Sequence, residues 1–180
     1  MTFAPNVPVE TLHLRPNLNP WSVTADTQGL VLWQGGGGAA SVAWPLANLA
    51  MGWTFQINER QILYEAFYGS GAVAGGNLDI GIYDMAGTRL ASTGTQVRAT
   101  SAHTNINWTD LTLEPGQYVA AMSADSTANY AGWIPLAGLC EATGVWEAAT
   151  SFVLPATITW VRTTRAFIPY FGFNSNSVSL

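Results

Sequence analysis

Asn77-Leu-Asp-Ile-Gly-Ile-Tyr-Asp-Met-Ala-Gly-Thr-Arg-Leu-Ala-Ser-Thr-Gly94, followed later by Leu111-Thr-Leu-Glu-Pro-Gly-Gln-Tyr118, decides the fold. Leu78, Ile80 and Ile82 alternate with Asp79, Gly81 and Tyr83, the period-two pattern of a strand with one buried face. This pattern puts Asp79 on the solvated face. Asp84-Met-Ala-Gly87 has the residues of a type I turn, a carboxylate first to cap the backbone and a glycine last. The chain then returns through Thr88 to Ser92, which predicts a β-hairpin. Glu114-Pro-Gly116 predicts a second turn, launching a strand over Gln117 to Met122.

Outward from this centre the same period continues. Met51 to Ile57 predicts a strand with Trp53, Phe55 and Ile57 on one face. Asn58 to Gly69 carries mixed signals. Asn58 with Gln61 resembles a capping box, and Leu63 and Phe67 stand one helical turn apart. Ile62, Tyr64, Ala66 and Tyr68 instead alternate, and a strand is expected. Further strands are expected near Asn129 to Ile134, Phe152 to Leu154, Ile158 to Val161 and Ala166 to Phe171, with a long loop over Leu136 to Thr150 holding Cys140 and Trp146. Short strands punctuated by Gly and Pro predict an all-β, jelly-roll-like antiparallel β-sandwich. The sandwich is expected over residues 41–173 and a loose polar tail over 174–180. Residues 1–40 hold prolines 5, 8, 16 and 20 and end in Gly35 to Gly38. They read either as an extended arm or as a first strand followed by a long loop.

Charge is scarce. Only 9% of the 180 residues are charged, against roughly 25% in ordinary soluble domains. The six basic residues are all arginine. Polarity comes from 19 Thr, 11 Ser, 11 Asn and 6 Gln. Such a surface is cheaper to desolvate than one of lysine and glutamate, and it predicts burial against other subunits. A net charge of −5, with Arg162 and Arg165 the one close basic pair, argues against nucleic acid as the main partner. One cysteine, Cys140, forbids an intrachain disulfide. The N-terminus lacks a signal-peptide pattern, and no window approaches the about 18 apolar residues of a membrane span. The expectation is a protein folded in a cytoplasm, with no membrane partner.

The residues of chemistry are sparse. His13 and His103 lie far apart with no cysteine pair, so no zinc site is expected. Asp79, Asp84 and Asp125 are the calcium candidates, but Asp84 already serves the turn and Asp79 the solvated face of its strand. Ser101 and His103 share a face if extended, with no marked carboxylate to orient them. No nucleophile elbow, paired-carboxylate motif or phosphate loop is present. No catalytic residue, cofactor or metal is expected. Among eight tryptophans, Trp53, Trp108, Trp133 and Trp160 sit in strand-like runs and are expected in the core. Trp21, Trp33 and Trp146, with Leu30 beside Trp33, are the candidates for partner contact.

The hairpin Gly81-Ile-Tyr-Asp84 with Gly87, the segment Leu111-Thr-Leu-Glu-Pro-Gly-Gln-Tyr118, and Trp44-Pro-Leu-Ala-Asn-Leu-Ala50 leading into Trp53-Thr-Phe55 together resemble a family of small tailed-bacteriophage virion proteins. The resemblance covers roughly residues 44 to 124. It implies a jelly-roll-like sandwich and a structural or attachment part of a virus particle. The expectation is a non-enzymatic capsid decoration or cement protein on the outer surface of the virion, assembled in the host cytoplasm. It would form a homotrimer and contact the major capsid protein. The alternative is a tail-fibre or head-fibre domain that binds a host surface glycan.

Overall fold

The computed structural model describes residues 25–26, 29–30, 40–71, 75–99, 103–128, 130–135, 145–163 and 167–177. Among them are fifteen strands and no helix: β1 (Ala25–Asp26), β2 (Gly29–Leu30), β3 (Ala40–Ala43), β4 (Leu49–Ile57), β5 (Gln61–Gly69), β6 (Asn77–Asp84), β7 (Arg89–Ser92), β8 (Gln96–Val97), β9 (His103–Leu113), β10 (Gly116–Ala124), β11 (Tyr130–Pro135), β12 (Val145–Ala149), β13 (Val161–Thr163), β14 (Phe167–Pro169) and β15 (Phe171–Ser177). The large sheet runs β13-β12-β4-β10-β6-β7, with β8 also on β6; β15-β5-β9 and β14-β11-β3 form two smaller sheets, and β1 pairs β2. Pairing within each sheet is antiparallel.

The core fills the space between the large sheet and β15-β5-β9. β4 contributes Leu49, Met51, Trp53, Phe55 and Ile57, and β6 contributes Leu78, Ile80 and Ile82. Ala120, Met122 and Ala124 of β10 fall level with these residues, because Met122 lies opposite both Met51 and Ile80. Leu63, Ala66 and Tyr68 of β5, Ile106 and Leu113 of β9, and Phe171 and Phe173 of β15 meet them from the other sheet. Trp53 packs on Phe171 at 5.6 Å, and Trp108 stacks on Phe173 at 5.0 Å and 17°. Each large apolar side chain buried this way contributes about 1.5–3 kcal/mol. The result is the expected all-β sandwich, with Trp53, Phe55 and Ile57 on one inward face.

The β6–β7 turn is built as its residues suggest. Gly87 N–H donates to Asp84 O at 3.1 Å, and the Asp84 carboxylate accepts Thr88 N–H at 2.8 Å. Gly87 has φ +86°, which glycine adopts without strain, and the register slips by one residue beside it, between Ile82 and Tyr83. The second turn connects β9 to β10 through Glu114 and Pro115.

Five expectations change. The strands expected over Phe152–Leu154 and Ile158–Val161 do not form: residues 150–160 make only isolated bridges, Ser151 with Val153 and Thr88 with Thr157, because side chains of the sheet beneath take their backbone groups. The other face of β6 is not solvated: Asp79, Gly81 and Tyr83 are all buried. Residues 150–160 cover it, joining β12 to its neighbour β13 by crossing the outer face of the large sheet and returning. In β5, a register shift between Leu63 and Glu65 reverses the alternation, so Leu63, Ala66 and Tyr68 point inward while Tyr64 is exposed. Trp146 lies in β12 rather than in a loop, opposite Gly52 of β4 and Arg162 of β13. The polar tail expected from Asn174 begins inside β15, which continues to Ser177; Ser175 is buried there and donates to Gln61 Oε1 at 2.9 Å.

Candidate functional site

Two places gather polar and aromatic side chains beyond what the core needs. One is the outer face of the large sheet, under the strap of residues 150–160. Cross-strand register sets Gly52, Ala121 and Gly81 in one row on that face, and these small residues leave a trough. A Cβ on Gly81 would lie 2.7 Å from Ala91 O and 2.9 Å from Leu154 Cδ1; one on Gly52 would lie 2.7 Å from Val119 Cγ1 and 3.2 Å from the Trp160 ring. Leu154 is fully buried in this trough with Ala50, Tyr83, Val119 and Ala121, flanked by Ile158 and Trp160. Tyr83 and Trp160 meet edge to face at 5.4 Å.

Polar groups fasten the strap along its length. Asp79 Oδ2 accepts Leu154 N–H at 2.9 Å, and Asp79 Oδ1 accepts the Thr93 hydroxyl at 3.1 Å. Ser123 Oγ donates to Phe152 O, and Arg89 donates to Leu154 O. Tyr83 Oη donates to Pro155 O at 2.8 Å, and Ile158 N–H donates to Gly87 O at 2.9 Å. Burial pushes the Asp79 carboxyl above its ordinary value, against the opposing pull of Leu154 N–H, Thr93 and Arg89. Burial likewise pushes the Tyr83 phenol up. This constellation is a structural clasp: Asp79, Ser123, Tyr83 and Arg89 each hold a backbone group of the strap.

The second place is the outer face of β15-β5-β9. β5 sets Glu65, Phe67 and Gly69 along one column; β9 sets Asn107, Asn105 and His103 opposite them; β15 sets Asn174 and Gly172 on the other side. His103 stacks on Phe67 at 5.3 Å and 30°, and Tyr170 leans on Phe67 at 5.7 Å and on His103 at 5.8 Å. Gly69 is required beneath Tyr170, since a Cβ there would lie 2.5 Å from the Tyr170 ring. His103 Nε2 and Asn105 Oδ1 are 2.9 Å apart, and Asn174 donates to Glu65.

The residues singled out from sequence separate in space. Asp84 caps its turn, Asp79 holds the strap, and Asp125 accepts Asn77 N–H at 2.9 Å and Asn77 Nδ2 at 2.8 Å. Among the described residues no group of three or more His, Cys, Asp or Glu side chains could hold a metal ion. Trp53 is core and Trp108 is half-buried against it; Trp160 is half-buried on the opposite face of the large sheet with Leu154 and Tyr83, Trp146 is half-buried on β12, and the side chain of Trp133 lies outside the described ones. Leu30 lies in β2, which runs beside β15. Trp21, Trp33 and Cys140 lie outside the described residues, as do most of residues 1–40 and Ser101, which shares a face with His103 only if that segment is extended. No sequence spacing announces the Phe67, His103 and Tyr170 cluster, because it is assembled by register across three strands. No described helix is long and apolar enough to cross a membrane.

Comparison of the chain with protein-family models, curated proteins and solved structures finds no match.

Proposed function

We propose that this chain is a non-enzymatic structural subunit of a tailed-phage particle, a cement-type protein that assembles with its own copies, as a homotrimer, and with the major capsid protein on the outer surface of the head. The observation that carries the assembly reading is β9. It is the eleven-residue edge of the three-stranded sheet, and it holds no lysine or arginine, with His103 and Asp110 its only titratable residues. A long edge strand offers its backbone groups to another chain; β9 holds no lysine or proline against this, and its one irregularity lies at residues 108–110. Neutral Thr and Asn side chains along β9 desolvate at low cost when that happens. The phage reading is supported by where the family-like segments fall. The hairpin lies on β6 and β7, the second segment ends in β10 after leaving β9, and the third leads into β4; β4, β10, β6 and β7 are consecutive neighbours in one sheet.

Sedimentation of the full chain tests the assembly reading. A trimer mass for the wild type, with dissociation on Thr104→Lys or Thr112→Lys in β9, supports it. A monomer at about 100 μM, or a trimer indifferent to both lysines, overturns the role given to β9.

One observation favours a second reading, a fibre domain that binds a host glycan. That role requires exposed aromatic rings beside amide side chains, and exposed His103, with Tyr170 against its ring and Asn105 bonded to it, meets the requirement.

A further inference from the structure

We infer that the outer face of β15-β5-β9 is a carbohydrate-binding site for a neutral pyranose, with His103 and Tyr170 as the stacking surface and Asn105, Asn107 and Glu65 as hydroxyl ligands. The inference rests on the second reading above and names its site and ligand class.

The site is layered. Phe67 is only 3% exposed and forms the floor. His103 is exposed and lies nearly parallel on Phe67, while Tyr170 is half-exposed and tilts against both rings. Two glycines make the layering possible. Gly69 leaves room for the Tyr170 ring, and Gly172, opposite Phe67, adds no side chain to the face.

Polar groups surround these rings at strand spacing, about 4.8 Å apart. Asn105 shares its carbonyl oxygen with His103 Nε2 at 2.9 Å, which fixes the amide and leaves its N–H groups for a ligand. Asn107 stands one pleat further along β9, level with Glu65, and Glu65 is oriented by Asn174. A pyranose has an apolar face of C–H groups and a rim of hydroxyls. Its C–H face fits over aromatic rings, and its hydroxyls can donate to a carboxylate while accepting from an amide.

Charge selects among the ligands that stack on rings. Glu65 is the one formal charge in the set, and no arginine belongs to it. A nucleotide, a sialic acid or a uronate would bring a negative charge with nothing to meet it and a carboxylate to repel it. A neutral hexose or N-acetylhexosamine carries no such penalty.

Ligand-observed and protein-observed NMR on the full chain tests the assignment. The probes are glucose, galactose, mannose and N-acetylglucosamine, with glucuronate as the charged comparison. The expected result is saturable shifts of the His103 and Tyr170 ring signals with at least one neutral sugar, and at least about tenfold weaker binding of glucuronate. His103→Ala, an exposed substitution, weakens the neutral sugar by about tenfold or more while the melting temperature and sedimentation stay as in wild type. Asn105→Ala gives a second, independent loss. No saturable shift with any of the four neutral sugars overturns the inference, and so does binding that persists in both variants. Either failure leaves the sedimentation result for assembly untouched, so the two readings fall separately.

Discussion

Asp79→Ala removes the one carboxylate that holds the middle of the 150–160 strap. Leu154 N–H then loses its acceptor inside a dry contact, and an orphaned buried donor costs about 1–3 kcal/mol. Thr93 loses less, because its hydroxyl also reaches Gly94 O at 3.2 Å. Asp79→Asn keeps an acceptor for Leu154 N–H and gives Thr93 a donor to accept, so its expected cost is under about 1 kcal/mol. Both variants also differ from the wild type in pH dependence, because neither carries the Asp79 carboxyl. Burial raises the folded carboxyl above 3.8, the unfolded value, so the native state holds its proton more tightly than the unfolded chain. The wild type therefore has the full Asp79 contribution below 3.8 and loses it as pH rises through the folded value. Neither variant has such a loss, and both gain on the wild type across that window, so Asp79→Ala and Asp79→Asn stay separated by the lost acceptor alone. Urea unfolding followed by tryptophan fluorescence, at a series of pH values from about 4 to 8, measures this directly, and hydrogen exchange over residues 150–160 shows whether the strap opens alone. The expected order at neutral pH is Asp79→Asn at or above wild type, with Asp79→Ala lowest by about 1–2 kcal/mol, equivalent to roughly 2–8 °C in Tm for a chain of this size. Equal stability of Asp79→Ala and wild type, with unchanged exchange in the strap, would refute the clasp. So would Asp79→Asn losing as much as Asp79→Ala at neutral pH.

Further outcomes follow from the same geometry. Tyr83→Phe deletes the hydrogen bond to Pro155 O and is expected to cost about 0.5–1.5 kcal/mol in urea unfolding, with faster exchange confined to the strap. Gly87→Ala forces a side chain into φ +86° and against the Ile158 carbonyl; a loss of about 1–3 kcal/mol is expected, read as a lower urea midpoint with an unchanged m-value. Trp108→Ala empties the stack on Phe173 and frees Leu63 O, which accepts the indole N–H at 3.2 Å; about 3 kcal/mol of thermal stability should go with it. Ser175→Ala leaves Gln61 Oε1 without its buried donor and is expected to lower stability by about 1 kcal/mol.

The fold was legible where one strand's chemistry suffices to describe it. Met51 to Ile57 shows its inward face in Trp53, Phe55 and Ile57, and Asp84 with Gly87 encodes the hairpin turn locally. What lay beyond reach was set by partners distant in the chain. Asp79 and Tyr83 have the polarity of a solvated face, and the strap satisfies that polarity from residues about seventy positions away. The only hint is the small-residue row of Gly52, Ala121 and Gly81, which has no meaning until register aligns it. In β5 the slip at Tyr64 reverses the faces, a change that strict alternation cannot anticipate. β9, the longest strand, alternates polar Thr and Asn with Ile106 and Trp108, and too few apolar residues mark its period beforehand. The aromatic cluster was hidden for the same reason. Phe67, His103 and Tyr170 become neighbours only through pairing of three strands.

Cryo-electron microscopy of the particle encoded with this chain tests the structural role most directly. The account predicts density for the sandwich as trimers on the outer capsid lattice, with β9 paired to a neighbouring subunit. Density at a fibre tip with β9 open to solvent would contradict the cement role, and absence of the chain from the particle would contradict a place in the virion altogether.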